Sequence, residues 1–172
     1  LHLSIRRQRQ MCIRDRESTL HLMADAGCVG LSYGVESINP TTAYQIQKPH
    51  ITAKKVVDFT MLLRKYKIHS VPTYMIGLPE SPKEMKETIN FAFNLPSDSL
   101  QFSIATPFPG TPFYQLCEQN GWLATKDWTM YDGARYSVTD YPWIKHEEIE
   151  HIYGEAMQRR KDEQRGFRKN DI

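Results

Sequence analysis

From Glu17 onward the apolar residues switch repeatedly between a helical and a strand period, and this alternation points to parallel βα units more strongly than any other feature of the sequence. Residues 19–26 place Leu20, Met23 and Ala24 on one helical face, and Gly27 supplies a C-terminal stop. A strand is expected over 29–35. Asn39 followed by Pro40 has the pattern of an N-cap and first helical position, and Thr52 caps a second helix whose Val56, Phe59 and Leu63 share a face. Two helices therefore separate the first strand from the second, which is expected over 70–76 and is rich in Val71, Thr73 and Tyr74. Ser81 and Glu84 have capping-box spacing around Pro82, with Met85, Ile89 and Ala92 on the buried side of the helix that follows. A third strand over 100–105 leads into Thr106-Pro107-Phe108-Pro109-Gly110, and Pro112 then opens a short helix ending at Gly121. Residues 125–143 carry aromatics and turn residues without a clean period, ahead of a polar final helix presenting Ile149, Ile152, Tyr153 and Ala156. The expected class is α/β: three parallel strands with flanking helices over 17–123, and a mostly helical C-terminal extension over 124–172.

With 172 residues, 40% hydrophobic and 24% charged, the chain has enough apolar material for a core. No apolar run approaches the roughly 20 residues that a membrane-spanning helix needs, and the first residues lack the apolar core of a secretory signal. A cytoplasmic location without a transmembrane segment is expected. Cys12, Cys28 and Cys117 are odd in number and far apart, which gives neither a disulfide framework nor a metal knuckle. The cluster Arg6, Arg7, Arg9, Arg14 and Arg16 would suggest nucleic acid. Residues 6–16 instead match, codon by codon, the translation of a transposon adapter used in sequencing libraries, so 1–16 are set apart as a non-native segment. Without its five arginines and one aspartate, 22 basic and 20 acidic residues become 17 and 19, and no nucleic-acid partner is expected.

Ligands of parallel sheets bind just past the C-terminal ends of the strands. The first strand exits through Tyr33-Gly34-Val35-Glu36-Ser37, a carboxylate beside a hydroxyl, both suited to ribose hydroxyls or an ammonium group. The second exits through Met75-Ile76-Gly77-Leu78-Pro79, where a glycine lets a flat ring approach the backbone. At the third, the prolines and Gly110 fix an extended loop whose backbone groups are free for a ligand. Each has a plainer reading: a helix-capping acid, a plain turn and a rigid connector. The histidines lack ligand-like spacing, His146 and His151 being five apart, and no metal site is expected. The aromatics Trp122, Trp128, Tyr131, Tyr136 and Trp143 read as core packing or as the wall of a substrate pocket.

The strings LMADAGCVGLSYGVES, YMIGLP and QFSIATPFPGTPFY, with NGW following, resemble the second half of the radical S-adenosylmethionine enzymes, and most of all the branch associated with an upstream cobalamin-binding domain. The resemblance covers residues 17–128 and implies the latter half of a TIM-barrel-like partial parallel (β/α) barrel. It implies that Gly34, Glu36 and Ser37 contact the ribose and methionyl parts of S-adenosylmethionine. Tyr74, Ile76 and Gly77 fall beside the adenine, and Thr106, Pro107, Phe108, Pro109 and Gly110 border the same pocket. The family's [4Fe-4S] cluster needs a CxxxCxxC loop, and no such spacing exists here. The expectation is a fragment that binds S-adenosylmethionine, with the cluster held by a missing N-terminal half, acting on an unidentified small-molecule or lipid-like substrate; cobalamin in the full-length protein and the choice between methyl transfer and hydrogen abstraction are left open. Alone it would not turn over, and its first strand would be left with an unpaired edge. Glu80 stands where many family members have glycine, and residues 159–172 depart from the expected ending.

Two other readings stand beside this one: a cluster-independent nucleotide- or phosphate-binding barrel enzyme, whose glycine-rich loop Pro-Phe-Pro-Gly imitates poorly, and a non-catalytic binding module built on the C-terminal aromatics. Sequencing the source locus across the codon for Glu17 is expected to find an open reading frame continuing upstream and encoding CxxxCxxC. Genomic codons for residues 6–16 behind a true start would instead favour the binding module.

Overall fold

The computed structural model describes residues 8–10 and 17–170. They form β1 (Gln8–Gln10), α1 (Glu17–Asp25), β2 (Gly30–Glu36), α2 (Pro40–Gln45), α3 (Ala53–Lys65), β3 (His69–Ile76), α4 (Pro82–Asn94), β4 (Gln101–Ile104), α5 (Pro112–Gln119) and α6 (His146–Asn170). The class is α/β, with one sheet in the order β1-β2-β3-β4. Strand order alone does not define a barrel. Among the described residues no helix is long and apolar enough to cross a membrane.

The sheet departs from expectation at its edge, where four strands stand in place of three. Gln8, Arg9 and Gln10 pair in parallel with Leu31, Ser32 and Tyr33, so the edge of β2 expected to be bare carries a short partner. Backbone pairing needs no particular side chains, so any extended segment within reach can occupy such an edge. The rest of the segment set apart at 1–16 lies outside the described residues.

The chain divides into two compact units, 1–74 with 87–101 and 75–86 with 102–172. In the first, β2 alternates half-buried and buried positions, which sends Leu31, Tyr33 and Val35 inward to meet Leu20 of α1 and Val56, Phe59 and Leu63 of α3 in the core. The Tyr33 ring meets Phe59 edge-on, and its hydroxyl lies 2.6 Å from Thr60 Oγ1, which itself donates to the Val56 carbonyl. Burial pushes the Tyr33 phenol up to about 12, so it stays a donor. The start of β3 is tied by Asp98, which accepts from both the amide and the hydroxyl of Ser70. Asn39 caps α2 by accepting from the amides of Thr41 and Thr42, and Thr52 caps α3 through the Lys55 amide.

In the second unit the capping box at α4 closes reciprocally: the Ser81 amide and hydroxyl donate to Glu84 Oε2, and the Glu84 amide donates to Ser81 Oγ. The Ala105 amide donates to the Ile76 carbonyl, continuing the β3–β4 ladder. Between α5 and α6 the chain has no regular element beyond a 3₁₀ turn at Trp128–Met130 and isolated bridges pairing Leu123 with Thr139 and Tyr141 with Ile144. The apolar side of α6 buries Ile149, Ile152 and Ala156 as expected.

Leu63 is fully buried on α3, whereas Leu22 on α1 is 68% exposed. Leu63→Ala is expected to cost about 2–5 kcal/mol in chemical denaturation, and Leu22→Ala less than about 0.5 kcal/mol.

Candidate functional site

The exit of β2 is shaped by two irregularities. Gly34 pairs with Thr73 and Glu36 with Tyr74, so Val35 is an extra residue and the strand bulges. The Ser37 amide then donates to the Val35 carbonyl while Glu36 holds φ +64°, a γ-turn of the rare positive-φ form centred on a residue with a side chain. Such a conformation costs on the order of 1–3 kcal/mol and persists only where its surroundings impose it. Its effect is to fold the Glu36 carboxylate back over Gly34. Lys48, in the segment after α2, meets that carboxylate at 2.7 Å, and both side chains are largely shielded, 17% exposed for Lys48 and 14% for Glu36. A Cβ on Gly34 would fall 2.5 Å from Glu36 Oε1 and 3.0 Å from Lys48 Nζ, which explains the glycine. Ser37 is buried; its Oγ accepts from the Asn39 amide at 2.9 Å and lies 3.5 Å from Thr88 Oγ1. Its hydroxyl therefore anchors the turn into α2. Tyr74 is fully buried, and burial pushes its phenol far up.

At the exit of β3, Ile76 is buried and Gly77 adopts φ +90°. The sequence reading gave this glycine to an approaching flat ring. In the structure the space a Cβ would take is filled by Ile149 of α6, 2.8 Å away, and the Gly77 carbonyl accepts from the Tyr141 hydroxyl at 2.8 Å. Three residues on, the Glu80 carbonyl accepts from Trp143 Nε1 at 2.9 Å.

The exit of β4 is partly committed as well. Thr106 Oγ1 donates to the Ile104 carbonyl, and Pro107 is buried, whereas Phe108, Pro109 and Gly110 are exposed. Phe108 to Thr111 form a turn with Pro109 second and Gly110 third at φ +85°, the positions a type II turn assigns to those residues. The Phe108 carbonyl accepts from both the amide and the hydroxyl of Thr111, and Thr111 Oγ1 caps α5 by accepting from the Tyr114 amide. The carbonyl of Phe108 is thus not one of the free groups expected of this loop.

Sequence reasoning missed two groups. Lys48 lies 12 residues from Glu36 without any motif to join them. Asp140, His146 and Glu147 bring three ligand-type atoms within 4.8 Å of one another, a grouping that pairwise histidine spacing does not reveal. These residues are already engaged: Asp140 accepts from the His146 amide at 2.9 Å, contacts His146 Nδ1 at 2.8 Å and meets Lys145 at 3.2 Å. Partial burial acts against the Asp140 carboxylate, but the hydrogen bonds from His146 and Lys145 outweigh it and keep its pKa below the usual range. The arrangement fastens the start of α6.

No family model matches the chain. Over 67% of its length it is 34% identical to an uncharacterized methyltransferase of Pyrococcus horikoshii and 29% identical to a bacteriochlorophyllide d C-12(1)-methyltransferase of Chlorobaculum tepidum. It spans about a quarter of the length of each, 25% in both cases. Among solved structures, the radical S-adenosylmethionine methyltransferase TsrM of Kitasatospora setae, with cobalamin and a [4Fe-4S] cluster bound, superposes with TM-score 0.58 at 22% identity, over 70% of this chain and 23% of that one. Over the matched part, the chain shares the fold of that enzyme. Elp3 of Methanocaldococcus infernus has the same fold, with TM-score 0.59 at 19% identity, over 66% of this chain and 28% of that one.

The glycines of the β2 and β3 exits make different demands. Gly77→Ala must overcome both a positive φ and a core side chain, so a loss of about 1–3 kcal/mol is expected in thermal denaturation. Gly34→Ala meets only the tips of two flexible side chains and should cost less than about 1 kcal/mol while displacing the Glu36–Lys48 pair.

Proposed function

We propose that this chain supplies the cofactor-facing strand exits of a radical S-adenosylmethionine enzyme of the cobalamin-associated branch, acting in methyl transfer. The observation that carries the reading is the β2 exit, where a strained turn holds a shielded carboxylate beside a lysine. A shielded acid and base side by side suit the ammonium and carboxylate of a methionyl group, or ribose hydroxyls, through charge-assisted hydrogen bonds. Ser37 would act indirectly, by fixing the turn that aims Glu36. By the family resemblance, the loop after Gly77 would border the adenine, Gly77 itself being committed to Tyr141 and Ile149. The methyltransferases among the relatives support the reaction class, although the chain spans only 25% of their length.

The cysteines described here do not suit the cluster. Cys117 is fully buried, with its thiol pushed up to about 12 by that burial, and Cys28 hydrogen-bonds the Gly30 carbonyl. Cluster ligation would fall to a separate part of the polypeptide carrying CxxxCxxC. S-adenosylmethionine supplies the transferable methyl or the deoxyadenosyl group, and the contribution of this chain is to position it.

Equilibrium dialysis of labelled S-adenosylmethionine against the complete gene product tests the proposal. Glu36→Gln, which keeps shape and loses charge, is expected to weaken binding about 10- to 100-fold and to lower the melting temperature, since the shielded Lys48 loses its partner. Equal affinity of the two proteins would sink it.

A further inference from the structure

The irregular segment before α6 closes on the loop that follows β3. Tyr141 and Trp143 stack face to face, with centroids 5.5 Å apart and planes 7° from parallel, and Trp122 meets both edge-on. Their polar atoms point to one target. The Tyr141 hydroxyl donates to the Gly77 carbonyl at 2.8 Å and the Trp143 indole N–H to the Glu80 carbonyl at 2.9 Å, so one aromatic pair grips the loop at both ends. The aromatic pair is itself held. Residues 141–144 form a turn with Tyr141 and Ile144 bridged, the Asp140 amide donates to the Trp122 carbonyl, and the Asp140 carboxylate binds the His146 amide. Burial pushes the Tyr141 phenol far above its ordinary value, so it remains a donor throughout the working pH range.

We propose that Tyr141 and Trp143 are positioning residues that set the shape of the Gly77–Glu80 loop for cofactor binding. The inference rests on reading the β3 exit as part of the S-adenosylmethionine site. Gly77 at φ +90° turns the backbone where β3 ends, and within the loop the Glu80 amide donates to the Leu78 carbonyl. The two side-chain donors and Ile149, which packs against Gly77, fix the shape of the loop from residues more than sixty positions later in the chain. Trp143 is nonetheless 48% exposed, so its cost in core packing on replacement is small compared with its effect on the loop.

Hydrogen exchange over residues 75–86 and the affinity for S-adenosylhomocysteine, a ligand that needs no cluster reduction, test this in the complete gene product. Tyr141→Phe and Trp143→Phe keep a ring and remove the donor. Each is expected to speed exchange in the loop and weaken ligand binding by about 3- to 10-fold, leaving α3 unchanged. Trp128→Phe, at an exposed aromatic outside the grip, should match wild type. If ligand protects the wild-type loop but both variants match wild type in exchange and affinity, the positioning role is overturned while the cofactor reading stands. If ligand gives the wild-type loop no protection, the cofactor reading of the β3 exit fails and the positioning role fails with it.

Discussion

Parallel pairing between β2 and β3 is the constraint from which the rest follows. Two parallel neighbours cannot be joined by a tight turn; the chain must travel back to the starting end before the next strand begins. Helices α2 and α3 make one such return and α4 the next, so that each strand exit is the start of a crossover rather than a hairpin. Exits of this kind carry backbone groups that the ladder no longer uses. The sequence fills them with glycines and prolines, and with one acid at a positive φ.

That acid shows how strain is tolerated. A bulge, a γ-turn and a left-handed glutamate would each destabilise an isolated strand. Here they sit between a strand with three core residues and a helix capped by Asn39, whose amide is anchored by Ser37. The rigid elements on either side impose the conformation, and the carboxylate is held where a flexible loop would let it wander.

Legibility followed the range of the interaction. The N-caps at Asn39 and Thr52 and the Ser81–Glu84 capping box act within one turn of helix, so residue order alone reveals them. The buried face of α3 was equally plain, because periodicity states it directly. Partners brought together by folding were not: Lys48 for Glu36, and Tyr141 and Trp143 for the β3 exit loop, come from segments with no period or motif. Gly77 is the instructive middle case. Its need for a glycine was visible, yet the neighbour imposing it is Ile149, a residue read only as one member of a helix face. The short strand Gln8–Gln10 was invisible for a different reason, since backbone pairing leaves no mark on side-chain order.

The Glu36–Lys48 pair has a consequence for selectivity. A ligand that brings only a cation must evict Lys48 from the carboxylate and leave a largely shielded ammonium without its partner, so much of what it gains is returned. A ligand that brings only an anion faces the mirror-image problem with Glu36. A zwitterion, carrying both charged groups on one carbon, can insert between the two and satisfy each in exchange for one ion pair. In the proposed site the resting salt bridge would act as a filter, favouring amino-acid-like ends over simple amines or acids.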